Sequence, residues 1–545
     1  MKKNFKVFAA AVLGIFSVAC SSLDKMAEMA ENVNVTCNPA VLEVVAGVIQ
    51  ADVTVTYPAE YFNKKAIVEV TPVIVFDGGE SKMAPFTFQG EKVEDNYEVC
   101  SYDGGTITKH VRFPYVEGME NCHLELRGVA TNRTQEIELP SKKVADGANT
   151  TYMLVCKGGV AELKADGYQD VIPMTAEGQI LYSINSSDVA SKELTSASIK
   201  NFQDAVNEIN ANERKTLVGT EVVAYASPDG GAELNSKLSG NRAKSAEKAW
   251  GKVTKKLDVA DPTVSSVGQD WEGFQELVAA SDIEDKDLII RVLSMYSDAA
   301  VREQEIKNMS AVYTTLAKEV LPELRRARFI ANVEYQNYTS EELSKLVDEN
   351  IDVLDEAALL RAATLAEKSK DKIAIYDKAI SKYNSKTAQY NKAVVYVNDG
   401  DYRKAENAIK GLDEDADVLN IKGIIALNDG NLAAAGQAFN AAGTDAAKEN
   451  LAVAEILGGK YESAAARLAG KEGCNAALAQ ILVGNLAAAE KALTCNCPKS
   501  NYLRAVIAAR QGKAEAVKTN LDKATKESKE LARRAETDIE FAQYR

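Results

Sequence analysis

The chain has very little of the chemistry on which most enzymes depend. Among its 545 residues there are only two histidines, and both fall in segments where polar and apolar residues alternate. A solvated strand position is the simplest interpretation of each. The sequence contains no G-x-S-x-G, H-E-x-x-H, phosphate-loop or dinucleotide-binding pattern. We therefore predict a protein that is not an enzyme, with no catalytic residues and no cofactor.

Long apolar runs and an excess of positive charge are also missing. The apolar run at residues 7–18 is too short for a permanent membrane-spanning helix, and no later stretch is long enough. Acidic residues outnumber basic ones by 79 to 64, for a formal net charge of -15. Such a surface disfavours nucleic acid and anionic lipid as broad partners. The length and the 46% hydrophobic content suffice for three or four domains.

The N-terminus has the layout of an export signal. Three lysines precede the apolar run, which ends at Ser17-Val18-Ala19-Cys20. This resembles a bacterial lipoprotein signal, which implies a signal peptide over residues 1–19, acylation of Cys20 and a lipidated linker over 20–32. Several acyl chains would hold the protein firmly at a membrane, because each buried CH₂ contributes about 0.8 kcal/mol. The alternative is an ordinary secretory signal with an incidental cysteine.

Seven cysteines remain if Cys20 is acylated, and this odd number leaves at least one free thiol. Four of them fall in one β-rich region, where an exported chain can form a disulfide: Cys37, Cys100, Cys122 and Cys156. The spacing leaves the pairing open. Cys495-Asn496-Cys497 lacks the C-x-x-C spacing typical of redox and zinc sites, so we predict no metal site.

Residues 33–170 have a hydrophobic period of two. The segments 53–57 and 107–113 alternate apolar with polar residues, which is typical of half-buried strands. Asp-Gly-Gly sequences at 77–79 and 103–105 supply turns. These patterns predict an N-terminal all-β sandwich.

Residues 175–337 alternate between strand and helix patterns, which predicts an α/β domain. Its predicted strands include 179–184, 221–225 and 329–335. Ser196 is a suitable cap for a first helix, and a second helix is expected from about 232 to 255.

The most specific motif of the chain joins the strand at 221–225 to the second helix. The chain reads Ser227-Pro228-Asp229-Gly230-Gly231, and the helix then carries Asn235-x-x-Leu238-Ser239-x-x-Arg242-Ala243. This order resembles the core of the OmpA-like peptidoglycan-binding domain. The basic run at 325–328 resembles the end of that domain. The stretch 256–325 is a helical extension longer than the family's usual connection, of a kind associated with Bacteroidetes envelope proteins.

The resemblance implies a ligand site. In the OmpA-like family, a loop aspartate and a helical arginine hold the diaminopimelate of uncrosslinked wall peptides. The arginine position falls on Arg242, and the aspartate position falls on Ser227, which carries no charge. Asp229 is the acid that can replace it, and Asn235 completes the candidate peptidoglycan-binding set. The missing charge-assisted bond would weaken binding by roughly 1.5–3 kcal/mol. The alternative is that these residues only hold the fold.

From residue 340 to 545 the strand patterns end and alanine-rich helices repeat. Glycines recur every 25 to 30 residues, at Gly400, Gly430, Gly459, Gly484 and Gly512. This looks like the tetratricopeptide repeat (TPR), in which a helix, a turn and a second helix stack on the next copy. The spacing is shorter than the usual ~34 residues, which predicts degenerate repeats or short second helices. We expect an α-solenoid whose concave groove receives partner proteins.

Together these patterns predict a multidomain lipoprotein of the Bacteroidetes outer membrane that faces the periplasm and acts as a structural tether. The lipid would anchor it in the outer membrane, the OmpA-like domain would contact peptidoglycan, and the repeats would bind envelope proteins. The alternative is a pure protein-interaction subunit of an outer-membrane assembly, at the cell surface or inside it, with an OmpA-like fold that has lost its ligand.

Overall fold

The computed structural model describes residues 23–283, 286–295, 297–308 and 310–545. The predicted signal peptide and Cys20 lie outside these residues. The chain forms two compact units. One contains the residues up to Lys164 together with Ile380–Arg545, and the other is Ala165–Ala379. We call them the strand-and-repeat unit and the α/β unit. In the described ranges, no helix combines the length and the apolar character needed to cross a membrane.

The N-terminal part of the strand-and-repeat unit is rich in strands, as predicted. The first five strands are β1 (Asn34–Asn38), β2 (Val41–Val45), β3 (Val48–Tyr57), β4 (Ile67–Phe76) and β5 (Gly79–Lys82). The next five are β6 (Phe86–Gly90), β7 (Glu98–Cys100), β8 (Gly105–Pro114), β9 (Cys122–Thr131) and β10 (Glu136–Asn149). They form one hydrogen-bonded sheet in the order β1-β3-β2-β10-β9-β4-β6-β7, with β8 on β3 and β5 on β4. The sheet is continuous because β2 pairs with both β3 and β10.

The segment before β1 is folded over its described part, although the sequence predicts a linker there. Residues Asp24–Glu28 form the short helix α1, and a 3₁₀ turn follows at Met29–Asn32. Leu23 and Met26 are fully buried in a cluster with Tyr57 and Phe62. Burying two apolar side chains outweighs the polar character of the residues around them.

The α/β unit contains a four-stranded sheet and a set of helices. Its strands are β11 (Val171–Leu181), β12 (Lys215–Ala226), β13 (Thr263–Gln269) and β14 (Arg326–Gln336), in the order β11-β14-β12-β13. Helices α2 (Ala197–Ala211) and α3 (Ala232–Val253) follow β11 and β12. The others are α4 (Trp271–Ala280), α5 (Lys286–Met295), α6 (Ala299–Asn308), α7 (Ser310–Glu319), α8 (Ser340–Asn350) and α9 (Glu356–Leu365). Strands β12 and β13 are parallel, whereas β14 is antiparallel to its neighbours.

An aromatic cluster fills the core of this unit. The ring of Trp250 on α3 lies 5.7 Å from that of Phe202 on α2 and 5.3 Å from that of Phe329 on β14. Ser196 caps α2 as predicted, by accepting a hydrogen bond from the amide of Ile199. The sequence thus placed the helix start correctly because the cap is a local interaction.

Helices α8 and α9 group with this sheet, and not with the later repeats, although the sequence places the repeat boundary at 340. Glu342 on α8 forms an ion pair with Arg214 at 2.5 Å. It also closes a capping box with Thr339. These contacts tie the start of the helical region to the α/β unit.

The C-terminal helices form the predicted repeat array. The first helices of five repeats are α11 (Lys386–Asn398), α13 (Ala416–Asn428), α15 (Asp445–Leu457), α17 (Cys474–Leu482) and α19 (Pro498–Arg510). The second helices are α12 (Tyr402–Ala408), α14 (Leu432–Ala442), α16 (Tyr461–Arg467), α18 (Leu486–Ala492) and α20 (Ala514–Glu527). Helix α10 (Ser369–Tyr383) precedes them, and α21 (Lys529–Thr537) follows.

The turns and helix lengths agree with the pattern of the repeats. The turn glycines adopt the left-handed conformation, for example Gly430 with φ 81° and Gly484 with φ 78°, which disfavours residues with a Cβ. Three of the second helices have only seven residues. The short spacing of the repeats therefore reflects short second helices.

The strands and the repeats share one apolar core, which contains residues of β3 and β9 as well as of α13 and α19. A buried carboxylate also joins them. Glu540, in the final 3₁₀ helix (Ile539–Tyr544), accepts hydrogen bonds from Asn149 at 2.9 Å and from Thr151 at 2.7 Å. Arg510 on α19 donates to the same carboxylate from 3.1 Å. Burial raises the pKa of Glu540, but these hydrogen bonds outweigh it, so the pKa is lowered from its ordinary value.

Changing Gly423 on α13 should destabilise the array. A Cβ there would lie 2.4 Å from the buried ring of Phe439, whereas at Gly436 on α14 the nearest atom would be 3.9 Å away. We expect Gly423→Ala to lower the free energy of unfolding by about 1–3 kcal/mol through overpacking. Gly436→Ala should be neutral or stabilising by up to about 1 kcal/mol, because alanine favours helix. Urea denaturation of both variants checks this. Equal effects would contradict it.

The carboxylate of Glu540 should make stability depend on pH. Because its pKa is lowered in the folded protein, its contribution is present above the unfolded pKa of about 4.3 and is lost as the pH falls through the folded value. Glu540→Gln should therefore lower stability by about 2 kcal/mol near pH 7, and by much less near pH 3. Urea unfolding at both pH values measures the difference. Glu536→Gln, at an exposed position, is the matched control and should show no such change.

Candidate functional site

The loop that carries the OmpA-like motif connects β12 to α3 and is held by an asparagine. Asn235 is buried, and its amide donates to the carbonyl of Ser227 at 2.9 Å and to that of Gly230 at 2.6 Å. Both carbonyls belong to the loop. Asn235 therefore stabilises the loop conformation, which is the structural role that the sequence left open for it.

Arg242 lies under this loop and is fully buried. Its guanidinium donates to three main-chain carbonyls, those of Ser186 at 3.0 Å, Tyr225 at 2.9 Å and Ser183 at 3.4 Å. It also lies 5.0 Å from the ring centroid of Tyr182. Burial lowers the pKa of Arg242 to about 10. A ligand carboxylate would have to displace at least one of these carbonyls.

Ser227 and Asp229 complete the predicted set and interact with each other. The hydroxyl of Ser227 donates to the carboxylate of Asp229. Arg325, which precedes β14, pairs with the same carboxylate at 3.3 Å. The acid that could replace the family aspartate is thus already neutralised by a neighbouring cation.

The helical extension closes the space beside this loop. Pro228 and Asp229 line a cavity of about 10 Å³ together with Lys307 of α6 and Tyr313 of α7. A cavity of this size holds about one water molecule. The structure therefore brings Ser227, Asp229, Asn235 and Arg242 together, and they hold the main chain and one another.

A second candidate site lies on the first helices of the repeats. Four successive first helices each contribute an asparagine to it: Asn391 on α11, Asn420 on α13, Asn450 on α15 and Asn475 on α17. The first three are buried. They contact residues 156–164, which have neither helical nor strand structure. We call this stretch the groove segment.

Three of these asparagines each pair with both main-chain groups of one residue. Asn475 accepts from the amide of Cys156 at 2.8 Å and donates to its carbonyl at 2.9 Å. Asn450 does the same for Val160, at 2.7 and 2.8 Å. Asn391 pairs in the same way with Lys164, at 2.8 and 3.0 Å. The paired residues are four positions apart and are contacted from the fourth, third and first repeats.

The fourth asparagine contacts both members of the pair formed by Asn450 and Val160. Asn420 donates to the carbonyl of Val160 at 2.9 Å and accepts from the amide of Asn450 at 2.8 Å. Because a buried amide side chain must satisfy its own donors and acceptor, this network fixes the orientation of both asparagines.

Side chains also constrain the groove segment at Lys164 and at Gly159. The ammonium of Lys164 pairs with Asp415 and lies 4.8 Å from the ring centroid of Tyr390. At Gly159, where φ is +79°, a Cβ would lie 2.7 Å from Ile424. The segment can therefore pass this point only with glycine at position 159.

The sequence contained a signal for the asparagines. Each of them precedes its turn glycine by nine or ten residues, so Asn391 stands before Gly400 as Asn420 stands before Gly430. The segment that they contact lies more than 200 residues earlier in the chain, and no repeat pattern connects the two. The contact therefore could not be predicted from the sequence.

The structure also brings thiols together that the sequence keeps apart. The sulfur atoms of Cys474, Cys495 and Cys497 all lie within 4.8 Å of one another. Cys156, the first residue of the groove segment, lines the same cavity as Cys474, and the interaction between the two thiols lowers the pKa of Cys156 to about 6. In the sequence only Cys495 and Cys497 lie close to each other, whereas Cys474 and Cys156 are distant in the chain.

No protein-family model and no curated protein matches this chain. Similar solved structures include a tetratricopeptide repeat protein from Parabacteroides merdae, 19% identical with a TM-score of 0.30, over 37% of this chain and 91% of that one. YrrB, described as a TPR protein with an unusual peptide-binding site, is 20% identical with a TM-score of 0.20, over 36% and 99%. The APC/C hetero-tetramer Cut9-Hcn1 is 12% identical with a TM-score of 0.30, over 62% and 80%. Because these TM-scores are low, the repeat architecture rests on the paired helices and glycine turns of this chain.

Proposed function

We propose that the protein is a non-catalytic scaffold whose repeats bind irregular peptide segments through their main chain. The observation that supports this most directly is the row formed by Asn391, Asn420, Asn450 and Asn475 along the groove segment. An amide that pairs with both the N–H and the C=O of one residue recognises backbone geometry and tolerates many side chains. Partners would be segments with glycine opposite Ile424 and a cation opposite Asp415.

The groove segment and a partner would compete for the same row of amides. Each neutral hydrogen bond contributes about 0.5–1.5 kcal/mol, whereas a separate peptide must also offset an association cost of at least about 4 kcal/mol. The groove segment avoids that cost because it is part of the same chain. A partner therefore binds well only when the groove segment is displaced or when further contacts strengthen the complex.

The proposal retains a lipid anchor at Cys20, and thus the placement of the scaffold at the outer membrane. It rests on the lipoprotein-like signal, which lies outside the described residues. Leu23, three positions after Cys20, is already fully buried in the strand-and-repeat unit. An anchor so close to the folded chain would hold this unit against the membrane surface.

A variant with a displaced groove segment tests the scaffold proposal. Gly159→Val adds a side chain that meets Ile424, whereas a Cβ at the neighbouring Gly158 would meet no atom within 4 Å. We expect a fluorescent peptide with the sequence of residues 155–165, with serine in place of Cys156, to bind Gly159→Val at least roughly tenfold more tightly than wild type. Fluorescence anisotropy measures the binding, and Gly158→Val should behave like wild type.

The asparagines provide the second part of this test. Asn420→Ala and Asn450→Ala, introduced together into Gly159→Val, should abolish binding of the peptide. Circular dichroism must show that the helices are retained in each variant. If Gly159→Val keeps its helices and does not bind the peptide, or if loss of both asparagines leaves the affinity unchanged, the proposal is wrong.

Peptidoglycan contact through Arg242 remains a prediction from the resemblance. It would require the guanidinium to exchange a carbonyl partner for a stem-peptide carboxylate and the adjacent cavity to widen. We expect residues 23–545 to stay in the supernatant when they are mixed with purified sacculi and centrifuged. The folded Arg242→Lys variant, which keeps the charge but not the planar fork, should behave in the same way. Sedimentation of wild type that Arg242→Lys loses would restore the tether hypothesis.

A further inference from the structure

Three cysteines of the fourth and fifth repeats form a compact thiol cluster. The sulfur of Cys497 lies 3.8 Å from that of Cys474 and 3.3 Å from that of Cys495. The hydroxyl of Ser500 lies between 2.9 and 3.4 Å from all three sulfurs. Three thiols that face one point offer a set of soft ligands.

The loop that carries two of these thiols is held in place by α19. Arg504 donates to the carbonyls of Leu493 at 2.7 Å and Cys495 at 2.9 Å. The sulfur of Cys497 caps the same helix by accepting from the amide of Ser500 at 3.4 Å. Amide donors of this kind stabilise thiolates and orient them as ligands. The cluster is therefore supported by its surroundings before any ion binds.

We propose that Cys474, Cys495 and Cys497 bind a zinc ion through their thiolates. Tetrahedral zinc with bonds of about 2.3 Å places its sulfur ligands ~3.8 Å apart, close to the separations of 3.8 and 3.3 Å found here. A disulfide requires sulfurs about 2.05 Å apart and can join only two of the three. Zinc engages all three, and each thiol releases its proton to solvent as it binds.

Cys156 is the candidate fourth ligand, since it lines the same cavity as Cys474. The main chain of Cys156 is already paired with Asn475, the residue that follows Cys474. Zinc bound by all four thiolates would be a closed, structural site. It would join the start of the groove segment to the fourth repeat. The zinc proposal does not depend on peptide binding by the repeats, because the three thiols of the cluster all belong to the helical array.

Metal titration of the reduced, EDTA-treated protein (residues 23–545) tests the proposal. We expect about one zinc ion bound per chain in competition with a chromogenic chelator. Cobalt(II), used as a probe, should give intense thiolate charge-transfer absorption and the visible bands of a tetrahedral site. Cys497→Ser and Cys495→Ser should lose both signals. Cys122→Ser, at a buried cysteine of β9, is the matched control and should keep them.

Further measurements test whether Cys156 is the fourth ligand and whether the thiols form a disulfide instead of binding zinc. Cys156→Ser should retain one zinc ion with an affinity at least roughly tenfold lower, whereas an unchanged affinity would remove Cys156 from the site. The proposal is overturned if the folded, reduced protein takes up no stoichiometric zinc, or if Cys497→Ser binds it as wild type does. It is also overturned if protein isolated without reductant contains a Cys474–Cys497 disulfide and no zinc.

Discussion

The pairing of the groove segment's main chain with asparagines of the repeats is the constraint on which the arrangement of the strand-and-repeat unit depends. Every N–H and C=O removed from water must find a partner, and the helices around the segment have already used their own in i to i−4 bonds. Side-chain amides are the main remaining donors and acceptors, and asparagines from four repeats supply them. The same constraint explains Gly159, since any Cβ there would meet Ile424.

Contacts between the strands and the helical repeats join them into one unit. Strands and helical repeats share an apolar core, and polar contacts at two places fix their register. The asparagines do so along the groove, and Glu540 does so where β10 meets α19. Because Asn391, Asn420 and Asn450 are buried and the side chain of Glu540 is only 7% exposed, loss of a partner leaves an unpaired polar group, which costs more than the bond itself contributes. The repeats thus support the β-rich region.

In the α/β unit, a buried cation supplies the hydrogen bonds that main-chain carbonyls need. Arg242 is excluded from water, and three main-chain carbonyls surround its guanidinium. Asp229 is paired instead with Arg325. The motif that resembles a ligand site therefore serves here to hold the strand, the loop and the helix together, and the helical extension narrows the space beside it.

The sequence by itself determined the local structure: the alternating strands, the Ser196 cap of α2 and the glycine turns of the repeats, because each depends on residues close together in the chain. It also placed Ser227, Asp229, Asn235 and Arg242 on one loop and helix. Only the tertiary structure decided which groups these side chains contact. Arg242 meets the carbonyl of Ser186, Asn450 meets Val160, and Cys474 meets Cys497. Such contacts join distant segments, whose separation leaves no periodic or spacing pattern by which they could be predicted.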